Sequence, residues 1–155
     1  PLLPEVLRAQ EILAQQYNIE SDIWSVTSYC QLRRDALSAD RINTLHPEQP
    51  KRRSYLEEML EGVSGPFIAV TDYVKLVPDQ IRQWIPGKYV TLGTDGFGRS
   101  DTRAALRRHF EVDAEHIVYA TLQALSESSD FDASKLTAAI KSLGIDPGSI
   151  DPAVA

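Results

Sequence analysis

The stretch from Lys88 to Phe110, KYVTLGTDGFGRSDTRAALRRHF, constrains this chain more than any other. Tyr89, Val90 and Leu92 suit a pleated surface and Thr91 is β-branched, so this run favours an extended backbone. Gly93, Gly96 and Gly98 follow and permit a sharp reversal, since glycine takes positive φ without steric cost. Ser100 and Asp101 are N-cap residue types set just ahead of a helical pattern. Strand, glycine-rich turn and capped helix make one α/β unit, with a candidate anion site where the helix begins.

The rest of the chain alternates in the same sense. Pro4 suits the first turn of a helix, and Val6, Ala9, Ile12, Leu13 and Tyr17 follow at helical spacing, with Asn18 as a left-handed C-cap. Ile23-Trp24-Ser25-Val26-Thr27 reads as a strand. Leu32, Ala36, Leu37 and Ala39 predict a helix that decays around Asn43 to Leu45, before a proline-bounded loop from His46 to Pro50. Tyr55 to Leu60 predict a short helix, Phe67 to Thr71 a strand buried on both faces, and Val77 to Trp84 a brief helical segment. Beyond Phe110, Asp113 caps an amphipathic helix bearing Ile117, Val118, Thr121, Leu122 and Leu125. Asp132 caps a last helix that stops at Gly144.

This order predicts an α/β fold: three layers, a mostly parallel sheet with helices on both faces. Residues 1–144 form the domain and 145–155, rich in Pro and Asp, an irregular tail. The first helix has no strand ahead of it to cross over from, so a first strand is expected directly before Pro1. The chain opens on proline and is at once in a helical pattern, which reads as a segment of a longer polypeptide.

At 155 residues the chain is most simply one domain. A net charge of -6 argues against nonspecific nucleic-acid binding. The single cysteine, Cys30, rules out an intramolecular disulfide and fits a reducing compartment. No apolar run approaches the ~20 residues of a membrane span, and no signal peptide is visible, so a cytoplasmic location is expected.

Three strand-end loops are candidate ligand-binding segments: Thr27-Ser28-Tyr29, Thr71-Asp72-Tyr73 and Thr94-Asp95-Gly96-Phe97. Parallel strands would bring them to one edge; alternatively Asp72 and Asp95 simply cap turns. The glycine loop has neither GxGxxG spacing nor the GK[ST] of a P-loop. Arg99, Arg103, Arg107 and Arg108 suit a phosphate or carboxylate, or else a solvated face or subunit contact. His46, His109 and His116 lack metal spacing. Cys30 reads as a small buried hydrophobe, and Trp24 and Trp84 as core or interface. No complete active site is visible in the residues.

The combination SDIWSVTSYCQLRRDAL, NTLHPEQP and TDYVKLVPDQIRQWIPGKYVTLGTDGFGRSDTRAALRRHFEVDAEHIVYATLQAL resembles the C-terminal domain of the homodimeric bacterial pyruvate dehydrogenase E1 component, of the transketolase superfamily. The most specific wording runs from Leu92 to Asp101 and from Leu106 to Ala114. The resemblance implies a parent enzyme that decarboxylates pyruvate on thiamine diphosphate with Mg²⁺. That enzyme then acetylates a lipoyl group of its dihydrolipoyl acetyltransferase partner within a multienzyme complex. It implies that cofactor and metal bind other E1 domains, so no catalytic, cofactor or metal residue is assigned in this chain. It also implies a sheet with one reversed strand, opened by a strand before Pro4. The segment is expected to be inactive alone and to pack against the remaining E1 domains and the second subunit. The loop of Asp95, Gly96, Phe97, Gly98, Arg99, Ser100 and Asp101 is the candidate active-site edge or interface. The alternatives are a freestanding anion- or small-molecule-binding module, and the C-terminal domain of another transketolase-superfamily enzyme.

Overall fold

A computed structural model describes residues 2–155. The helices in chain order are α1 (Leu3–Tyr17), α2 (Tyr29–Leu45), α3 (Tyr55–Met59), α4 (Leu76–Asp79), α5 (Arg103–His109), α6 (Ala114–Glu127) and α7 (Leu136–Ser142). The strands are β1 (Phe67–Val70) and β2 (Tyr89–Leu92). They pair in parallel, with Phe67 opposite Tyr89 and Val70 opposite Leu92. The Phe67 N–H donates to the Lys88 carbonyl at 2.7 Å and the Thr71 N–H to that of Leu92 at 3.0 Å.

Side chains alternate across a strand, so each strand serves two cores. On one face Val70 and Leu92 meet a cluster built by Ala9 and Leu13 of α1, Ile117, Val118 and Leu122 of α6, and Leu143. The same two residues also touch Leu2, just before α1, and Phe110 and Val112, just after α5. On the other face Phe67, Ala69 and Tyr89 pack with Leu56, Leu60 and Ile81. The three-layer α/β arrangement with a small parallel sheet is therefore present.

Most helix ends obey local chemistry. The sequence from Pro4 to Asn18 gives α1, and Asn18 takes φ 55°, ψ 40°. Asp113 accepts from the His116 N–H at 3.1 Å, opening α6 where its side chain indicated. Ser28 accepts from the Gln31 N–H at 3.3 Å, so α2 starts earlier than its apolar spacing suggested. At α3 Ser54, which is fully buried, forms a reciprocal capping box with the half-buried Glu57, an S-x-x-E signature legible in the sequence. Gly144, with φ 62°, terminates α7, and Ile145 donates back to the Ile140 carbonyl at 3.0 Å.

The strand expected at Ile23 to Thr27 is absent. Its residues favour an extended backbone, but a strand exists only with a ladder partner, and among the described residues the sheet holds two strands alone. Trp24 and Val26 are exposed there. Phe67 to Val70 is half-buried rather than buried on both faces, and among the described residues β1 has β2 as its one hydrogen-bonded neighbour. The first strand expected directly before Pro1 lies outside the described residues, and among the described residues no reversed strand is present.

Candidate functional site

Because β1 and β2 are parallel, the loops that follow them leave from one edge of the sheet, and hydrogen bonds tie them together. The Thr94 N–H donates to the Tyr73 carbonyl at 2.9 Å, and the Thr94 hydroxyl to the Asp72 carbonyl at 2.9 Å. The Asp95 carboxylate accepts from the Lys75 N–H at 3.1 Å, so Asp95 is occupied in capping the turn that leads into α4. Gly93 sits where a Cβ would lie 2.7 Å from the Tyr73 carbonyl oxygen and 2.8 Å from the Lys75 nitrogen. Gly96 has φ +110° and lies against the carbonyl of Pro152. Of the three glycines read as conformational hinges, then, Gly96 uses positive φ, Gly93 supplies close approach, and Gly98 does neither.

The third predicted loop serves a different end. Ser28 starts α2, Tyr29 packs beside Tyr89, and the Cys30 thiol lies 3.9 Å from the Gln80 side-chain oxygen. Cys30 is exposed, correcting its reading as a buried hydrophobe: it falls on the outer side of the first turn of α2. Trp84 is half-buried and donates to Asp40 at 2.9 Å.

The helix expected to begin at Ser100 or Asp101 begins at Arg103, with Thr102 as its cap; the Thr102 hydroxyl accepts from the Ala105 N–H at 3.3 Å. Asp101 instead receives the Thr102 N–H at 2.6 Å, which satisfies its carboxylate locally. Two of the four arginines are committed within the fold. Arg107 meets Glu5 of α1 at 2.6 Å, and the second oxygen of Glu5 accepts the Ala114 N–H at 3.1 Å, at the start of α6. Arg108 meets Asp113 at 2.8 Å and Glu115 at 3.5 Å, while Arg8 also pairs with Glu115. Burial by itself raises the Asp113 carboxyl, but hydrogen bonds from the His116 ring and backbone, with the Arg108 charge, outweigh it and hold the group below the usual range. This network clamps α5 to α1 and α6. It was not legible locally, because Glu5 and Arg107 stand 102 residues apart.

Beneath β2 the Tyr89 hydroxyl donates to the Pro78 carbonyl at 3.1 Å. Arg82 lies 5.1 Å above the Tyr89 ring and bonds the Tyr89 carbonyl at 2.6 Å. Burial and then the neighbouring Tyr29 push the Tyr89 phenol far above its ordinary range, so it remains a neutral structural donor.

What the edge leaves outward is an aromatic and cationic surface. Phe97 is 79% and Tyr73 69% exposed. Among the described residues Arg99 and Arg103 are exposed and make no ion pair within the chain. Such a surface suits contact with another molecule or domain.

The family model described as the transketolase-like TK C-terminal domain matches residues 2–113. The chain belongs to that family. Pyruvate dehydrogenase E1 components are similar across nearly its whole length. That of Pseudomonas aeruginosa is 49% identical over 152 residues, 97% of this chain and 17% of the relative. That of Mycolicibacterium smegmatis is 45% identical over 144 residues, 93% of this chain and 16% of the relative. That of Escherichia coli K12 is 42% identical over 155 residues, 99% of this chain and 17% of the relative. The chain thus spans about a sixth of the length of the curated relatives it matches. This transketolase-like domain is of the kind those E1 components carry. Among the described residues no helix is long and apolar enough to cross a membrane.

Proposed function

We propose that this transketolase-like domain is the C-terminal, non-catalytic domain of a pyruvate dehydrogenase E1. In this reading the whole enzyme decarboxylates pyruvate on thiamine diphosphate with Mg²⁺ and acetylates a lipoyl group of a dihydrolipoyl acetyltransferase. It works as a cytoplasmic homodimer within a multienzyme complex. The observation that carries the reading is similarity to E1 components over 93–99% of the chain.

The residues of this domain do not themselves fit the cofactor. Among the described residues no group of three or more His, Cys, Asp or Glu side chains is gathered as a metal site. The glycine loop, which a diphosphate would need open, is filled by the backbone of Tyr73 to Lys75 and by Pro152. Arg107 and Arg108 are engaged with carboxylates. Thiamine diphosphate and Mg²⁺ therefore belong, in this proposal, to E1 segments outside this chain. What the domain offers is the surface formed by the Asp95–Asp101 loop. Phe97 supplies apolar area, Arg99 supplies a bidentate donor, and Gly96 and Asp95 hold the loop against the sheet edge.

Three measurements test this. Pyruvate turnover by the isolated chain supplied with thiamine diphosphate and Mg²⁺ is expected to be nil, and robust turnover overturns the proposal. In the whole E1, Phe97→Ala with Arg99→Ala is expected to weaken association of the domain with the remaining subunit surfaces. Binding of inorganic phosphate by the isolated chain, lost on Arg99→Ala and Arg103→Ala, would favour the freestanding anion-binding module instead.

A further inference from the structure

We propose that residues 145–155 are a conformational strap that holds the Phe97 loop in place, so that the C-terminus sets the form of that surface. The near end of the strap is fixed in the main core, where Ile145 packs against the cluster built by α1, α6 and α7. Two local turns then shape it. The Asp146 carboxylate accepts from the Gly148 N–H at 2.9 Å, and the Asp151 carboxylate from the Ala153 N–H at 2.9 Å. The second turn is closed by the Val154 N–H donating to the Asp151 carbonyl at 3.1 Å.

At the far end the backbone of Pro152 meets the loop. Pro152 is buried although Asp151 and Ala153 on either side are exposed, so the proline is an anchor and not a passing contact. Its seat is Gly96. A Cβ on Gly96 would lie 1.9 Å from the Pro152 carbonyl oxygen, 2.9 Å from its carbonyl carbon and 3.3 Å from the Ala153 Cα. All three atoms are backbone, which a side-chain rotation cannot move aside. Ile150 and Val154, at 71% and 80% exposed, contribute no comparable grip.

The loop itself has little else to hold it past this point. Asp95 fastens it on one side and Thr102 begins α5 on the other, whereas Gly98 has no atom within 4 Å of its Cβ position. The Pro152–Gly96 contact therefore adds a hold one residue past Asp95, next to the exposed Phe97. Removing the strap should let the loop sample other conformations while the sheet and α6 stay intact. The inference stands on this geometry and does not depend on the E1 reading.

The test uses the chain ended after Ser149 and, separately, Gly96→Ala in the full chain, with amide hydrogen exchange and chymotryptic cutting after Phe97 as readouts. Shortening is expected to raise exchange at residues 96–100 and cutting after Phe97 roughly tenfold, with exchange around Leu122 unchanged. In Gly96→Ala the alanine must expel the Pro152 backbone, so exchange at Ala153 and Val154 is expected to rise by a similar factor. Unchanged cutting after Phe97 in a shortened chain that keeps Leu122 protected overturns the proposal. Should shortening also expose Leu122, Gly96→Ala decides by the strap residues, because its positive φ strains an alanine in the loop in any case: a rise at Ala153 and Val154 supports the strap, and no rise there overturns it.

Discussion

Deleting the Glu5 carboxylate asks what holds α5 in place. The helix has no buried residue, and its Leu106 reaches only the margin of the cluster formed by Leu2, Phe110 and Val112. Its attachment is largely ionic. Glu5 and Arg107 lie 2.6 Å apart with both side chains 15% exposed, between the solvent-exposed and fully buried limits. Exposed pairs contribute about 0–1 kcal/mol, and breaking a buried pair costs about 3–5 kcal/mol. Glu5 also accepts the Ala114 N–H at 3.1 Å, a charge-assisted bond that contributes about 1.5–3 kcal/mol. Glu5→Ala is therefore expected to cost about 3 kcal/mol, lowering Tm by roughly 6–12 °C for a chain of this size. Glu5→Gln should cost less, because the amide oxygen still receives the Ala114 N–H. A double-mutant cycle of Glu5→Ala with Arg107→Met, followed by thermal or urea unfolding, should give a coupling of about 1–2 kcal/mol. A coupling below about 0.5 kcal/mol, or a Tm shift under about 2 °C for Glu5→Ala, would refute the view that this clamp seats α5.

Three further outcomes follow from the same geometry. Leu122 is fully buried between α1 and the sheet, so Leu122→Ala should destabilise by about 2–5 kcal/mol in urea unfolding, whereas Leu76→Ala, on an exposed side chain, should change little. The Asp113 carboxyl has its folded-state pKa depressed, so it stabilises the fold above the ordinary carboxylate range, and that contribution is lost as pH falls through the folded value. Unfolding followed below about pH 5 should accordingly show a shallower acid limb for Asp113→Asn than for the unaltered chain, and identical limbs would count against it. Cys30, exposed on α2, should react stoichiometrically with a thiol reagent in the native chain; protection until unfolding would contradict its position.

Much of the local structure was legible because its causes are local. Tyr89 to Leu92 form β2 and Phe67 to Val70 form β1 as their composition indicated, and Asn18, Asp113 and Gly144 end or start helices through bonds to residues a few positions away. The same reasoning failed where the outcome depended on a distant partner. Ile23 to Thr27 has the composition of a strand, but composition cannot supply a ladder neighbour. Ser100 and Asp101 are sound cap types, yet Thr102 captured that role, and a choice among adjacent cap residues turns on one backbone angle. The glycines of the central loop were recognised as necessary, but their separate duties were not. Gly93 is set by the backbone of Tyr73 and Lys75, and Gly96 by Pro152 more than fifty positions later.

The candidate surface divides the same way. Phe97, Arg99 and the loop that carries them could be named from residue types and from the wording shared with a known family. That Arg107 and Arg108 are withdrawn into ion pairs while Arg99 and Arg103 stay outward was decided by the approach of α1 and α6. Periodicity and capping act over one or two turns of chain, so the sequence alone determined the succession of elements and the α/β class. Side-chain commitments across long separations depend on how those elements pack, and only the tertiary structure decided which charges are spent inside and which stay exposed.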